Sequence, residues 1–393
     1  MKTKVDISPA ILKWVMAHGQ IDDLPSRTRG LLESWVSGEK EPTFNQIEQV
    51  SRATGIPLGY FFLQTPPQED LSIVEYRTID SVELNNPSRN LIDTLHDMDR
   101  IQEWMRNALI SDGSAPLAFI GSLNGETSVE RFAQSVRTLL GIEKTWYKKT
   151  HSAEESFSLI RNAISSTGTI VMMSGIVGNN THRPLNIDEF RAFSVIDEYA
   201  PLIFINSNDS INGKLFSLLH EFAHICVGEN NLFNDRYSSG AKVKKIETIC
   251  NAVAAEILVP QSFFVSNWNS EANSGTVEIE AVINSLARSF KCGITVIARR
   301  AYDNGFINFQ QYQTTAKCAV KLYNDSRRRK KENGESGGDY YKTAASRIDK
   351  RFFAKLVSSV FDGKTLYSDA FRLTNTNRSS FANLVESIGG GVK

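Results

Sequence analysis

Residues 220–224 read His220, Glu221, Phe222, Ala223, His224, and this short string holds the clearest chemistry in the chain. On a helix, positions i and i+4 share a face, about 6 Å apart along the axis. Two imidazoles so placed can grip one metal ion from the same side. A carboxylate next to them can take a proton from water at that ion. The flanks suit a buried helix, with Leu215, Phe216, Leu218 and Leu219 before the string and Ile225, Cys226 and Val227 after it. A hydrolytic metal centre needs a third protein ligand and keeps a further position open. The next strongly helical stretch, residues 246–259, is rich in alanine and aliphatics and is stopped by Pro260. Two carboxylates compete there, Glu247 and Glu256. Nine residues apart, they face opposite sides of a helix and cannot both reach one ion. Asn251, one turn after Glu247, could orient that face by hydrogen bonding, which favours Glu247.

Ile205 and Asn206, a polar loop, the run Phe216 to His224, then Glu247, Asn251, Ala254, Ala255, Leu258 and Pro260 together resemble the ImmA/IrrE family of zinc peptidases. The resemblance implies one Zn2+ per chain, held by His220, His224 and Glu247, with Glu221 as general base. The interval from His224 to Glu247 suits a thermolysin-like (gluzincin) arrangement, with the third ligand on a separate helix. Metzincins need a third histidine soon after the string, and His224 is the last histidine of this chain. A peptidase also needs a donor for the developing oxyanion; Tyr237 and Arg236, between the two helices, are candidates. The substrate class implied is a regulatory protein, a repressor or antitoxin-like DNA-binding protein, in a stress, mobile-element or toxin–antitoxin response. A competing reading makes the chain a DNA- or protein-binding regulator whose peptidase-like activity is minor or lost. A purely structural zinc site is disfavoured by Glu221, since such a site has no use for a base and closes its fourth position.

Residues 9–64 predict four or five short helical segments. Thr43 is a natural N-cap for a helix from Phe44 to Thr54, after a turn at Gly38 and Pro42. Trp35, Ser37, Gly38, Pro42 and Thr43 resemble the marker of an XRE/Cro-like helix-turn-helix domain, which the family often carries in front. The first half resembles it poorly: where a full helix should precede the recognition helix there is only residues 21–28, broken by Pro25. Residues 1–65 carry seven Lys/Arg and seven Asp/Glu, whereas phosphate binding leaves a basic excess. Arg27, Arg29 and Lys40 are the candidate phosphate contacts, but docking to protein or self-association as a homodimer fits the charge balance better than DNA.

Elsewhere, residues 87–112 predict an amphipathic helix through Leu91, Ile92, Leu95, Met98, Ile101, Trp104, Met105 and Leu109, expected to pack on a neighbour at 127–141. Residues 169–173, 191–197 and 201–205 predict strands of a small sheet under the histidine helix. Helices follow at 276–290 and 294–304. Arg327 to Lys331 and the glycine-rich residues after them read as a charged loop or linker. Phe352, Phe353, Leu356, Val357 and Val360 mark a helical face in a C-terminal extension. The fold class expected is α+β and mostly helical: a helix-turn-helix-like module (1–66), a helical connecting region (67–165), a zincin-like peptidase domain with a small sheet on the histidine helix (166–325), and a linker with a helical extension (326–393). The net charge of zero offers no global field for nucleic acid or membrane. No apolar run or leader segment argues for a membrane. Four dispersed cysteines suit a reduced, cytoplasmic chain, with Cys226 and Cys250 buried and structural.

Overall fold

In the computed structural model, the described residues are 4–19, 21, 24–67, 87–228, 240–272, 278–332 and 340–389. The helices run in chain order as α1 (Pro9–His18), α2 (Ser26–Val36), α3 (Phe44–Thr54), α4 (Arg89–Ser111), α5 (Val129–Leu140) and α6 (Ala153–Ser166). Three strands follow, β1 (Ile170–Ser174), β2 (Ala192–Val195) and β3 (Leu202–Asn206). Then come α7 (Ile211–Val227), α8 (Gly240–Leu258), α9 (Gln261–Ala272), α10 (Ile279–Phe290), α11 (Ile294–Asp303) and α12 (Phe309–Glu332). The chain closes with α13 (Tyr340–Arg347), α14 (Lys350–Phe361), α15 (Tyr367–Leu373) and α16 (Arg378–Gly389). The class is mostly helical α+β. Among the described residues no single helix is long and apolar enough to cross a membrane.

The sheet has β3 at its centre, parallel to β1 and antiparallel to β2. All five residues of β3 are buried, the pattern of a strand covered on both faces rather than one. Alternation along the strands splits their side chains between two cores. Val171, Ala192, Ile203 and Ile205 enter a core built with α5–α8, α10 and α11. Ile170, Met172, Phe193, Val195, Leu202 and Phe204 enter a second core on the other face.

The structure corrects two sequence expectations. The apolar stripe of α4 does not pack on α5, which belongs to the first core. Leu91, Leu95, Met98, Ile101 and Met105 pack instead on the rear of the sheet, with Phe352, Phe353, Leu356 and Leu384 of the C-terminal helices. Trp104 meets Phe352 edge-on at 5.7 Å and donates its indole N–H to Thr365 Oγ1. The basic run Arg327 to Lys331 is not loop but the end of α12; Lys and Arg are good helix formers, and a helix already under way continues through them. The C-terminal helices are also anchored by polar contacts. Arg161 of α6 donates to the carbonyls of Val171, Ser346 and Ile348. Asp349, 3% exposed, caps α14 through Arg351 N–H and Phe352 N–H and accepts from Ser165 Oγ and Val171 N–H.

Residues Ile7 to Phe61 form a third, separate core, in which Ile11, Val15, Leu32, Trp35, Ile47, Val50 and Phe61 are buried. Thr43 does cap α3, in a reciprocal capping box with Gln46, and Gly55 ends it at φ 73°. Pro25 precedes α2 rather than interrupting it, and no helical residue is described between His18 and Ser26. This unit meets the rest of the chain where Arg89 lies over the Tyr60 ring and Arg183 lies against Gly55.

Candidate metal centre

The helix α7 starts at Ser210, whose Oγ accepts the Gly213 N–H at 3.0 Å. Leu215, Leu218, Leu219, Phe222, Ala223, Ile225 and Cys226 are all fully enclosed, so α7 is held by apolar packing nearly all round its axis. It lies on β2 and β3 on one side and on α6 and α8 on others. At its far end Gly228 adopts φ 71°, and the backbone of residues 121–123 closes over it. Gly121 N–H and Leu123 N–H donate to the carbonyls of Ile225 and Cys226, two of the acceptors that a helix C-terminus leaves without intrahelical partners.

The neighbouring α8 shows the buried face Glu247, Cys250, Ala254 and Ile257. The small side chains of Ala223, Cys250 and Ala254 belong to the same core as both helices. Glu247 is brought to the two histidines. Its Oε2 is 3.4 Å from His220 Nε2, its Oε1 is 3.0 Å from His224 Nε2, and the two Nε2 atoms are 3.0 Å apart. One donor atom from each residue lies within 4.8 Å of the others. Ligands about 2.0–2.1 Å from a tetrahedral Zn2+ are separated from one another by about 3.3 Å; the two Nε2 atoms at 3.0 Å, each with a different Glu247 oxygen at 3.0 or 3.4 Å, are of the size to surround that ion. The His220 and His224 rings stand edge-to-face at 4.6 Å, and Phe216, one turn earlier, stacks on His220 at 6.3 Å.

Glu221, 9% exposed, points to the sheet side of the same helix. Its Oε2 accepts the hydroxyl of Ser194 at 2.7 Å. Ser194 was not singled out from the sequence. Its signal was a lone hydroxyl at a position of β2 that alternation puts on the face of Ala192, toward α7.

Glu256 is excluded from the site, for a visible reason. It is 6% exposed on the other side of α8, where Arg300 Nη2 meets its Oε2 at 2.7 Å and Arg137 Nη2 stands 3.8 Å from Oε1. Arg137 is fully buried, and burial pushes its guanidinium below the usual arginine range, with Glu256 opposing the shift. Glu256 therefore serves as a counterion. Asn251 is exposed and does not enter the cluster; the orienting contact observed is to Glu221, from Ser194. Cys226, Cys250 and Cys292 are buried free thiols outside the cluster, and burial pushes the Cys226 thiol up to about 12. Tyr237 and Arg236 lie outside the described residues. Arg27 and Lys40 are exposed, whereas Arg29 is turned inward and donates to the Ile21 carbonyl at 2.6 Å.

Residues 180–302 match the family model described as the IrrE N-terminal-like domain, a peptidase M78 model. The match includes both histidines, Glu221 and Glu247, and supports a metallopeptidase-like function for that segment. Residues 348–387, in the C-terminal helices, match a model described as a domain of unknown function, DUF8813. No curated protein matches the chain.

Proposed function

We propose that the chain is a zinc-dependent endopeptidase that cleaves a regulatory protein in a reducing, cytoplasmic setting. The observation that carries this reading is the meeting of His220, His224 and Glu247 at 3.0–3.4 Å with the Glu221 carboxylate on the next residue of the same helix. His220, His224 and Glu247 would hold the ion. When bound, zinc supplies Lewis acidity, polarising the scissile carbonyl and lowering the pKa of water to near neutrality.

The remaining work falls to the chain's own groups. Ser194 donates to Glu221 Oε2 at 2.7 Å and so orients the carboxylate that would accept a proton from the attacking water. Glu221 then returns that proton to the leaving amine. The sheet order puts β2 at an edge, and an extended peptide adding to that edge would run beside Ser194, with backbone hydrogen bonds fixing its register. Tyr237 or Arg236 would donate to the developing oxyanion. The α1–α3 unit, with equal numbers of acidic and basic residues over 1–65 and Arg29 committed to its own backbone, serves better as a docking module for the protein substrate than as a DNA reader.

The test begins with metal content of protein purified without added metal or affinity tag. Wild type should carry about one zinc per chain, and His220→Ala and Glu247→Ala little. Glu221→Gln should keep its zinc and lose cleavage of a peptide library that wild type digests. Full zinc stoichiometry and affinity in Glu247→Ala, or identical digests from wild type and Glu221→Gln, would refute the assignment.

A further inference from the structure

The peptidase reading makes no use of the basic run at the end of α12. From Lys317 to Glu332 the chain carries seven Lys and Arg against two acids, Asp325 and Glu332, although the whole chain is neutral. Arg328 reaches Asp325 at 3.6 Å with its side chain 70% exposed, an ion pair of the kind worth about 0–1 kcal/mol. With both acids fully neutralised by neighbours, five positive charges still remain on this half of one helix.

The helix holds that charge in a defined place. Tyr312 stacks on Tyr302 of α11 at 5.7 Å, and the Arg299 guanidinium lies over both rings. Further along, Tyr323 donates its hydroxyl to the Asn208 carbonyl, just ahead of α7. Tyr312, Ala319 and Tyr323 are accordingly half-buried, whereas Lys317, Lys321, Asn324 and Arg328 are exposed. At about 100° per residue these four positions fall within about 60° of one another, on the side away from the three half-buried ones. They make a row about 16 Å long. Positions 327 and 329 stand about 100° to either side of Arg328, so the row has a base on each flank.

Shape and charge together select the occupant. A helix about 10–12 Å across fits the major groove of B-DNA, about 12 Å wide and walled by phosphates on both sides. A central basic row with a base on each flank matches those two walls. The major groove of duplex RNA is too deep and narrow for side chains to read. A bilayer surface calls for an apolar face beside the charges. The exposed Val320 and Leu322 lie about 200° apart on the helix, and residues 324–332 include no apolar side chain. We propose that the C-terminal half of α12 is an arm that enters the major groove of duplex DNA and grips its phosphates. Lysine and arginine on phosphates position a protein without reading sequence, so the arm binds DNA of any sequence. The site stands independently of the peptidase reading.

The experiment uses the full chain and fluorescence anisotropy of labelled duplexes of about 30 base pairs, in two unrelated sequences. Both should bind alike, and affinity should fall a few hundred-fold between about 50 and 200 mM salt, as expected for four or five neutralised phosphates. Duplex RNA of the same sequence, poly-L-glutamate and anionic phosphatidylserine vesicles should each bind at least about tenfold more weakly at equal charge. Lys321→Gln, Arg328→Gln and Arg329→Gln combined should weaken DNA binding at least about thirtyfold and roughly halve the salt slope, with the unfolding temperature unaltered. Arg27→Gln combined with Lys40→Gln, in the α1–α3 unit, should leave DNA binding as it is. The proposal is overturned by any of four results: no duplex DNA bound by about 20 µM chain at about 50 mM salt; RNA, polyglutamate or vesicles bound as tightly as DNA; wild-type binding by the triple variant; or loss only in the Arg27 and Lys40 variant. Should the triple variant fail to fold, the wild-type series of DNA, RNA, polyglutamate and vesicles decides.

Discussion

Glu247 and Glu256 lie on one helix, are equally buried, and are given different work by what faces them. Glu256 compensates Arg137, a guanidinium with no water to turn to, and Arg300. Removing one partner of a buried ion pair costs about 3–5 kcal/mol, because the other is left uncompensated. Glu256→Ala should therefore lower the unfolding temperature sharply while the folded fraction keeps its metal. Glu247→Ala should do the reverse, losing metal from a chain that still folds; zinc analysis beside thermal unfolding reads both. The opposition of the two carboxylates was legible from their spacing alone. Ser194 was not, because a single hydroxyl in a four-residue strand carries no pattern until the register puts it against Glu221. The thiols give a second check at this scale. With Cys226 pushed up to about 12 and Cys226, Cys250 and Cys292 enclosed, only Cys318 should react with a thiol reagent at pH 8 in the native state. All four should react after denaturation.

At the scale of elements, the histidine helix α7 depends on how its C-terminus is finished. Gly228 ends α7 at φ 71°, and a Cβ there would fall 2.3 Å from Gly121 Cα. Both objections act at once: the left-handed backbone disfavours an L side chain, and the obstacle is main chain that cannot rotate away. Gly141 ends α5 at φ 63° with nothing within 4 Å of its Cβ position, so it presents only the first objection. Gly141→Ala should cost about 1 kcal/mol and Gly228→Ala several times that, with hydrogen exchange at Ile225 to Gly228 accelerating in the second variant alone. The three strands and helices such as α3, α4, α5, α10 and α11 could be read from the sequence, α3 down to its cap at Thr43, whereas α6 and α9 were not singled out. What each face met could not be read. An amphipathic stripe shows that one side of α4 is buried, but the partner turned out to be a sheet completed by residues more than two hundred positions later. Likewise the charge of Arg327 to Lys331 reported exposure and was silent on conformation.

For the whole molecule, the deciding fact is that the sheet is buried on both faces and the second cover comes from the C-terminus. Sequence alone left the role of that extension underived, since Phe352, Phe353 and Leu356 announce a buried face without naming it. They close the rear of the sheet whose front carries α7, and Asp349 and Arg161 tie the two together. Each such large apolar side chain contributes about 1.5–3 kcal/mol on burial. Losing Phe352, Phe353, Leu356, Val360, Phe381 and Leu384 would forfeit an amount comparable with the 5–15 kcal/mol that holds a typical domain together. A chain ending at residue 332 should consequently expose the second core, bind a hydrophobic dye, lose its near-UV circular dichroism and fail to retain the proposed zinc, although His220, His224 and Glu247 are all still present. A chain beginning at residue 68 gives up only the third core, which has its own apolar interior, and should keep a folded spectrum and full zinc content. If the shortened C-terminal chain held zinc as wild type does, the helices behind the sheet would be an accessory to the metal centre rather than part of the fold that builds it.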